Sequence, residues 1–407
     1  MAASCKKNDK IKCIKGTSIV NHLTKARAAA QIILLIVLVI GLSAASVRIW
    51  GGKPEKTRNS ADLVIAAGMT LEQFGKANAF PNSMLKEIFN LKQKSDMGRM
   101  LEEYGTPEQI TSLVVKKQAL ISEHASKNWV KIVVKFVLWF VFLAMVYVIS
   151  KNRKGTPVRR KQLLIAAVLI FGVILGSDPS PMGTVKDAIH LYATTGAVFP
   201  PRMIALAVFL ALVVIANKYI CAWGCQAGTL QDAIFRLNRS DDLKPVFGRQ
   251  FKLPFVFTNS VRIAFLCLFT IVAFFRGFDM IDPIDPFKIY NPAQLGMAGA
   301  IFVGVLLFAS LFVYRPWCHL FCPFGLVGWL AEKTSRVKIS VNYETCTACQ
   351  KCAVSCPSTV MSAILRRDKK IIPDCFSCYT CRDTCPTDSI RFSAAKRTLP
   401  PEGHFLK

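Results

Sequence analysis

The stretch YRPWCHLFCPFG (residues 314–325) closes a long apolar run with a Cys-x-x-x-Cys pair, Cys318 and Cys322, beside Arg315. The chain repeats the device at NKYICAWGCQAG (residues 217–228), with Cys221 and Cys225. Both pairs sit on an internal repeat. Each unit runs through an apolar segment, an Asp-Pro loop, a second apolar segment, the cysteines and a short amphipathic stretch. The loops carry Asp178-Pro179 in the first unit, and Asp282-Pro283 with Asp285-Pro286 in the second. Residues four apart share one face of a helix. Two such pairs facing each other would frame a four-thiolate pocket, which the repeat is expected to hold at the cytoplasmic surface of a membrane. An iron–sulfur cluster, a structural zinc, a copper ion, two redox-active dithiols or simple packing of small side chains all fit four cysteines.

The composition explains the apolar runs. The chain has 407 residues, 52% of them hydrophobic, which is a membrane composition. Six candidate spans follow: Ala29–Ile49, Val130–Ser150, Leu163–Ser177, Met203–Cys221, Val261–Arg276 and Gly296–Tyr314. The net charge of +27 reads as lysine and arginine in cytoplasmic loops rather than as a nucleic-acid surface. Residues 1–28 carry seven basic side chains against Asp9, and KNRKGTPVRRK (151–161) carries six with no acid. Both belong on the cytoplasmic side of an inner membrane. With six spans, the N- and C-termini are both cytoplasmic.

Residues 51–128 then form a small extracytoplasmic helical domain. Thr70 with Gln73, and Thr106 with Gln109, spell capping boxes, and Pro107 follows at the first helical position. The remaining boundaries are a basic tail and first span (1–50), a second span and basic loop (129–161), the repeat unit (162–335), a C-terminal cysteine-rich domain (336–395) and a tail (396–407).

The cysteine-rich domain carries the most specific signal. CTACQKCAVSCP contains Cys346, Cys349, Cys352 and Cys356 before Pro357. CFSCYTCRDTCP contains Cys375, Cys378, Cys381 and Cys385 before Pro386. Each is C-x2-C-x2-C-x3-C-P, the run in which three cysteines hold a [4Fe–4S] cluster and the fourth ligates its neighbour. One cluster should take Cys346, Cys349, Cys352 and Cys385; the other should take Cys375, Cys378, Cys381 and Cys356. Zinc sites use two pairs and do not require this doubled, proline-terminated run. The fold expected is an α-helical integral membrane protein of about six spans with a cytoplasmic two-cluster ferredoxin-like (α+β) domain.

From about Leu163 to residue 393, the paired-cysteine spans followed by the doubled run resemble the membrane polyferredoxins. These include the quinol-oxidising subunit of periplasmic nitrate reductase systems and the C-terminal half of the nitrous-oxide-reductase regulatory flavoprotein. The cytochrome-oxidase accessory ferredoxin is a more distant relative. The resemblance implies an electron-transfer subunit rather than an enzyme with its own product. It would work between the quinone pool or a cytoplasmic donor and a partner redox protein, embedded in membrane lipid. The two extra N-terminal spans and the helical insert depart from those relatives. An assembly factor that reduces copper or thiols at the Cys221, Cys225, Cys318 and Cys322 quartet is the alternative. A redox-sensing regulator that signals through the insert is a third reading.

Other residues weigh less. His190 is a candidate for proton exchange with quinol, and His319 for contact with a metal or thiolate. Lys218, Arg262, Arg276 and Arg315 fall at span ends, where snorkelling to the interface is the default. Arg315 also stands where it can stabilise a thiolate. Cys267 reads as mid-span packing, Cys5 and Cys13 as incidental, and ATTGAV around Thr194 and Thr195 as a chance likeness to a flavin attachment site.

Overall fold

The structure is a computed structural model that describes residues 10–50, 63–152, 156–240, 244–366, 374–394 and 397–405. Cys5 and the side chain of Cys13 lie outside the described residues.

A long helix, α1 (Lys10–Trp50), leads to the insert, whose helices are α2 (Leu71–Ala77), α3 (Asn82–Phe89) and α4 (Pro107–Ala125). Both capping boxes form. Thr70 accepts from the Gln73 amide and Thr106 from the Gln109 amide, while each glutamine returns a bond to its cap. The insert has its own core, in which Phe74, Leu85, Leu101, Ile110 and Val114 are almost fully buried.

The bundle follows: α5 (Trp129–Lys151), α6 (Pro157–Ala167), α7 (Pro181–Thr195), α8 (Pro200–Ala216), α9 (Tyr219–Trp223) and α10 (Gln226–Leu237) make its first part. Then come α11 (Phe255–Arg276), α12 (Met297–Ala309), α13 (Pro316–Leu320) and α14 (Pro323–Glu332). Among the described residues three helical segments are long and apolar enough to cross a membrane: Thr24–Trp50, Trp129–Lys151 and Phe255–Arg276. The helices α8 and α12 are apolar but shorter. Helix α6 continues through a widened π turn at Val168–Ile174, where Gly172 lets the Tyr290 ring approach; a Cβ there would collide with that ring.

The repeat is visible as two descents into the interior. Each apolar helix, α8 or α12, ends before its cysteines, and a one-turn helix carries the chain back into the bundle. The cysteines are therefore buried inside the protein, with Lys218 and Trp223 of the first turn bonded to Asp374 and Ser377 of the C-terminal domain. Trp139, near the middle of α5, donates to the carbonyl of Gly224 at 3.0 Å, next to Cys225. Nor is α10 amphipathic in its setting: all twelve of its residues are buried, so its polar side chains must find partners inside.

At one end of the bundle sits the C-terminal domain: β1 (Lys338–Val341), α15 (Lys351–Ser355), α16 (Val360–Leu365), α17 (Thr380–Asp383) and β2 (Ile390–Ser393). The strands pair antiparallel, with Lys338 opposite Ser393 and Val341 opposite Ile390. At the other end, Lys186 of α7 is buried among Asp279, Asp187 and Asp285, at 3.0, 3.5 and 3.6 Å.

Candidate iron–sulfur centres

The two cysteine runs adopt the same backbone. Ala348 and Gln350 in the first, and Ser377 and Tyr379 in the second, all have φ between +50° and +59°. Left-handed conformations are costly for residues with a Cβ and persist where surroundings impose them. Here they coil each run tightly, so that three thiols point to one side.

The fourth cysteine of each run crosses over. Cys346, Cys349, Cys352 and Cys385 line one small cavity, with Thr387, Ser389 and Phe405 among its other walls. Cys356, Cys375, Cys378 and Cys381 line a second, with Tyr314 and Phe376 beside them. Among the described residues no three Cys, His, Asp or Glu side chains converge closely enough to grip a single ion. The thiols instead ring a space, a donor set that fits a thiolate-bound cluster.

Ligating thiols must ionise. Burial pushes Cys375 and Cys381 well above the usual thiol range. Burial also opposes ionisation of Cys378, but the guanidiniums of Arg236 and Arg160 outweigh it and hold that thiol below its ordinary value. Thr380 reinforces this: its hydroxyl lies 3.2 Å from the Cys378 sulfur and accepts from Arg160 at 2.7 Å and Arg236 at 3.1 Å. In the other cavity Cys385 is lowered without help from the bundle. Burial raises it, and the backbone amides of Thr387, Ser389 and Ile390 more than compensate.

Cys221, Cys225, Cys318 and Cys322 form a third group. All four are buried, and they interact electrostatically with one another. The two halves make similar contacts. Arg315 donates to the Cys221 carbonyl and, at 2.7 Å, to Asp232. Arg262 donates to the Cys318 carbonyl at 3.3 Å and to Asp374 at 3.0 Å. Gly228 and Gly325, each three residues after the second cysteine of its pair, leave room for that contact. A Cβ on either would stand 2.8 or 2.7 Å from the first cysteine's carbonyl oxygen. Arg315, Lys218, Arg262 and Lys135 stand around the four thiols, a positive surround that suits thiolates.

The quartet and the second cavity are joined through buried charge and one aromatic ring. Asp374, immediately before Cys375, accepts from Lys218 at 2.6 Å and from Arg262. Burial opposes its ionisation, yet these two cations hold it well below the usual carboxylate range. Phe376 packs against His319 at 5.1 Å and Tyr314 at 6.1 Å, with Lys218 and Arg315 over its face.

Several expectations change. Lys218, Arg262 and Arg315 are 0–1% exposed, so they are internal ion-pair partners rather than snorkelling side chains; Arg276 alone of the four is exposed. His319 places Nδ1 3.1 Å from the Arg315 carbonyl and stacks on Phe376. His190 bonds the Gly277 carbonyl at 3.2 Å, tying α7 to the end of α11. Thr194 and Thr195 bond carbonyls one turn back in α7. Cys267 is exposed on the outer face of α11 rather than packed. The reading of residue types passed over Lys135, Asp232, Asp374, Gly228 and Gly325. A signal was present for two kinds: Lys135 is a charge inside an apolar run, and both paired-cysteine stretches end in glycine at the same offset.

The chain matches a family described as a 4Fe-4S binding domain over residues 198–254 and 295–342, the segments that carry the two cysteine pairs. It is 30% identical over 213 residues to YccM of Escherichia coli, whose name assigns it to electron transport. That match covers 49% of this chain and 58% of YccM. It is 26% identical over 245 residues to the methylamine utilization ferredoxin-type protein MauN of Methylorubrum extorquens, covering 57% of this chain and 79% of MauN. An uncharacterized protein of Methanocaldococcus jannaschii is 23% identical over 193 residues, 47% of this chain and 78% of that protein. No solved structure matches the chain significantly. Taken with the cysteine architecture, these matches show a chain similar to ferredoxin-type and electron-transport proteins that carries a 4Fe-4S binding domain match on its paired-cysteine segments.

Proposed function

We propose that the chain is a membrane-embedded electron carrier with three cysteine centres in series. Cys346, Cys349, Cys352 and Cys385 would hold an outer [4Fe–4S] cluster. Cys356, Cys375, Cys378 and Cys381 would hold an inner one. Cys221, Cys225, Cys318 and Cys322 would hold a third inside the bundle. When bound, such clusters supply one-electron chemistry at potentials set by charge, hydrogen bonds to sulfur and solvent exposure. The chain's own residues set those terms. Arg160 and Arg236 add positive charge beside Cys378, the amides after Cys385 donate toward its sulfur, and Asp374 with Phe376 fixes the spacing between inner cavity and quartet.

The single observation that carries this reading is the buried junction at Asp374–Phe376, which ties one four-cysteine cavity to the second thiol group through Lys218, Arg262 and His319. Six membrane crossings complete the arrangement, with α6, α8 and α12 as the shorter three, both termini and the cysteine-rich domain in the cytoplasm, and the 63–125 helices outside. A quinone and a partner redox protein stand at the two ends of the route. Labelling of a Glu108→Cys variant from outside the cell checks the side; labelling from the cytoplasm alone would sink the topology.

Iron content and low-temperature EPR test the centres. Two four-iron clusters require about eight iron atoms per chain, and three require about twelve. The variant with serine at Cys221, Cys225, Cys318 and Cys322 should fall from about twelve to about eight. Equal iron in both proteins would remove the quartet from the series and favour a thiol- or copper-handling role.

A further inference from the structure

Residues 397–405 form no helix or strand, yet they are fastened across the cysteine-rich domain at both ends. At its start the segment covers a strand edge. β1 pairs with β2 along one edge, and backbone groups two residues apart face the same way. The Asn342 amide points to β2, where it bonds the Ser389 carbonyl, so the carbonyls of Ile339 and Val341 face the other edge. Arg397 Nε donates to Ile339 at 2.8 Å, and the Thr398 hydroxyl donates to Val341 at 3.3 Å. A covering loop is one way in which an open strand edge is closed.

An edge cover needs only Arg397 and Thr398, but the segment goes further. Pro400 is buried, and the chain then turns back toward the outer cavity. The rings of His404 and Phe405 meet at 4.9 Å, and both stand edge-on to Tyr343, at 6.1 and 6.2 Å. Edge-to-face rings of this kind hold a chain in place beyond the area they bury. Phe405 is itself part of the cavity wall, beside Cys346, Cys349, Cys352 and Cys385. It packs on the same apolar cluster as Cys346, Cys352 and Cys385. Access to the four thiols is uneven in the same sense: those three are half-buried, and Cys349 is exposed.

We propose that residues 397–405 are a strap over the outer centre, with Phe405 as its lid, so that reagents in solution reach Cys346, Cys352 and Cys385 only when the strap lifts. Cys349 lies outside its cover. Segments held by a few contacts open locally far more often than the whole domain unfolds, and the strap has two hydrogen bonds and two rings to lose. The strap rests on the electron-carrier reading for its purpose, the exclusion of oxidant from a cluster, but not for the gating of the thiols.

The test uses the full chain in two states. The iron-loaded chain is exposed to dioxygen for timed intervals and reduced again, and the surviving outer and inner EPR signals are counted. Phe405→Ala should lose the outer signal about tenfold faster than wild type, the factor that about 1.4 kcal/mol of lost ring packing makes in an opening equilibrium. The inner signal should decay as before. The iron-free, reduced chain is treated with N-ethylmaleimide, and labelled cysteines are read by mass spectrometry. Phe405→Ala should speed labelling of Cys346, Cys352 and Cys385 about tenfold and leave Cys349 unchanged. Arg397→Gln, which frees the other end, should act in the same direction. Leu399→Ser, on the strap but 53% exposed, should change nothing. Unchanged rates in Phe405→Ala, or equal acceleration at Cys349, would overturn the strap. If Phe405→Ala does not fold, Arg397→Gln decides, and no gain in labelling sinks the proposal. Gated thiols in a chain that takes up no iron leave the strap standing and remove the carrier reading.

Discussion

The inner and outer cysteine loops have the same spacing and the same pair of left-handed residues, yet they are held in different ways. The outer loop is supported by its own domain. Its cavity is walled by neighbouring residues, Cys349 is exposed, and peptide amides lower Cys385. The inner loop leans on the bundle. Arg160 and Arg236 reach Thr380 beside Cys378, Trp223 donates to the Ser377 carbonyl at 3.3 Å, and Lys218 and Arg262 bind Asp374. One ligand pattern can thus rest on local backbone or on distant side chains, and the difference decides which substitutions the centre feels.

The largest effect should come from cutting the inner loop's anchor. Asp374→Ala strands Lys218 and Arg262 as buried unpaired cations and should cost about 3–5 kcal/mol, read as a shift in the denaturant midpoint of the whole chain. A loss below about 1 kcal/mol would mean that the inner loop does not depend on the bundle. Next in size are Gly228→Ala and Gly325→Ala. Each forces a Cβ against a carbonyl and should cost about 1–3 kcal/mol; on the proposed reading, iron should be lost from the quartet alone. If one is tolerated and the other is not, the two halves of the repeat are not equivalent.

A smaller change follows from Arg236→Gln. Removing a cation beside Cys378 favours the more oxidised, less negative state, so the inner potential should fall. The shift is roughly 40 mV for each kcal/mol of lost interaction, since a tenfold change in a one-electron equilibrium is about 59 mV. EPR-monitored redox titration should find the outer signal unmoved; equal shifts in both signals would erase the distinction. Smallest of all is Lys351→Gln on the exposed face of the outer loop. It should change stability by no more than about 0.5 kcal/mol and shift the outer potential little, because solvent and salt screen the charge. A loss of several kcal/mol would show that the outer loop, too, has a hidden support.

Much of this was legible in the residues themselves. Ligands of iron–sulfur clusters repeat at short fixed spacings because one tight loop must supply three of them, and the runs Cys346–Cys356 and Cys375–Cys385 do line two cavities with the fourth cysteines exchanged. The paired-cysteine stretches are equally local, and so are the capping boxes at Thr70 and Thr106. The supports of the site were not legible. Lys218 meets Asp374 across 156 residues and Arg262 meets it across 112, and no short pattern records such a pairing. A cation at the end of an apolar run is ordinarily an interfacial anchor. The turn into α9 brings Lys218 inside, and the packing of α11 against α13 and α14 encloses Arg262. That descent also hid the depth of the quartet, since an apolar segment that ends before its cysteines looks the same whether the chain then leaves the bundle or turns back into it.

The exchange of fourth cysteines has a consequence for how the protein is made. The cavity that starts with Cys346 is completed by Cys385, and the one that starts with Cys375 is completed by Cys356. The cavity that begins at Cys346 therefore stays incomplete until Cys385 has left the ribosome, and the one that takes Cys356 until Cys381 has. A chain interrupted between Glu332 and Cys385 would carry the bundle without a finished outer cavity.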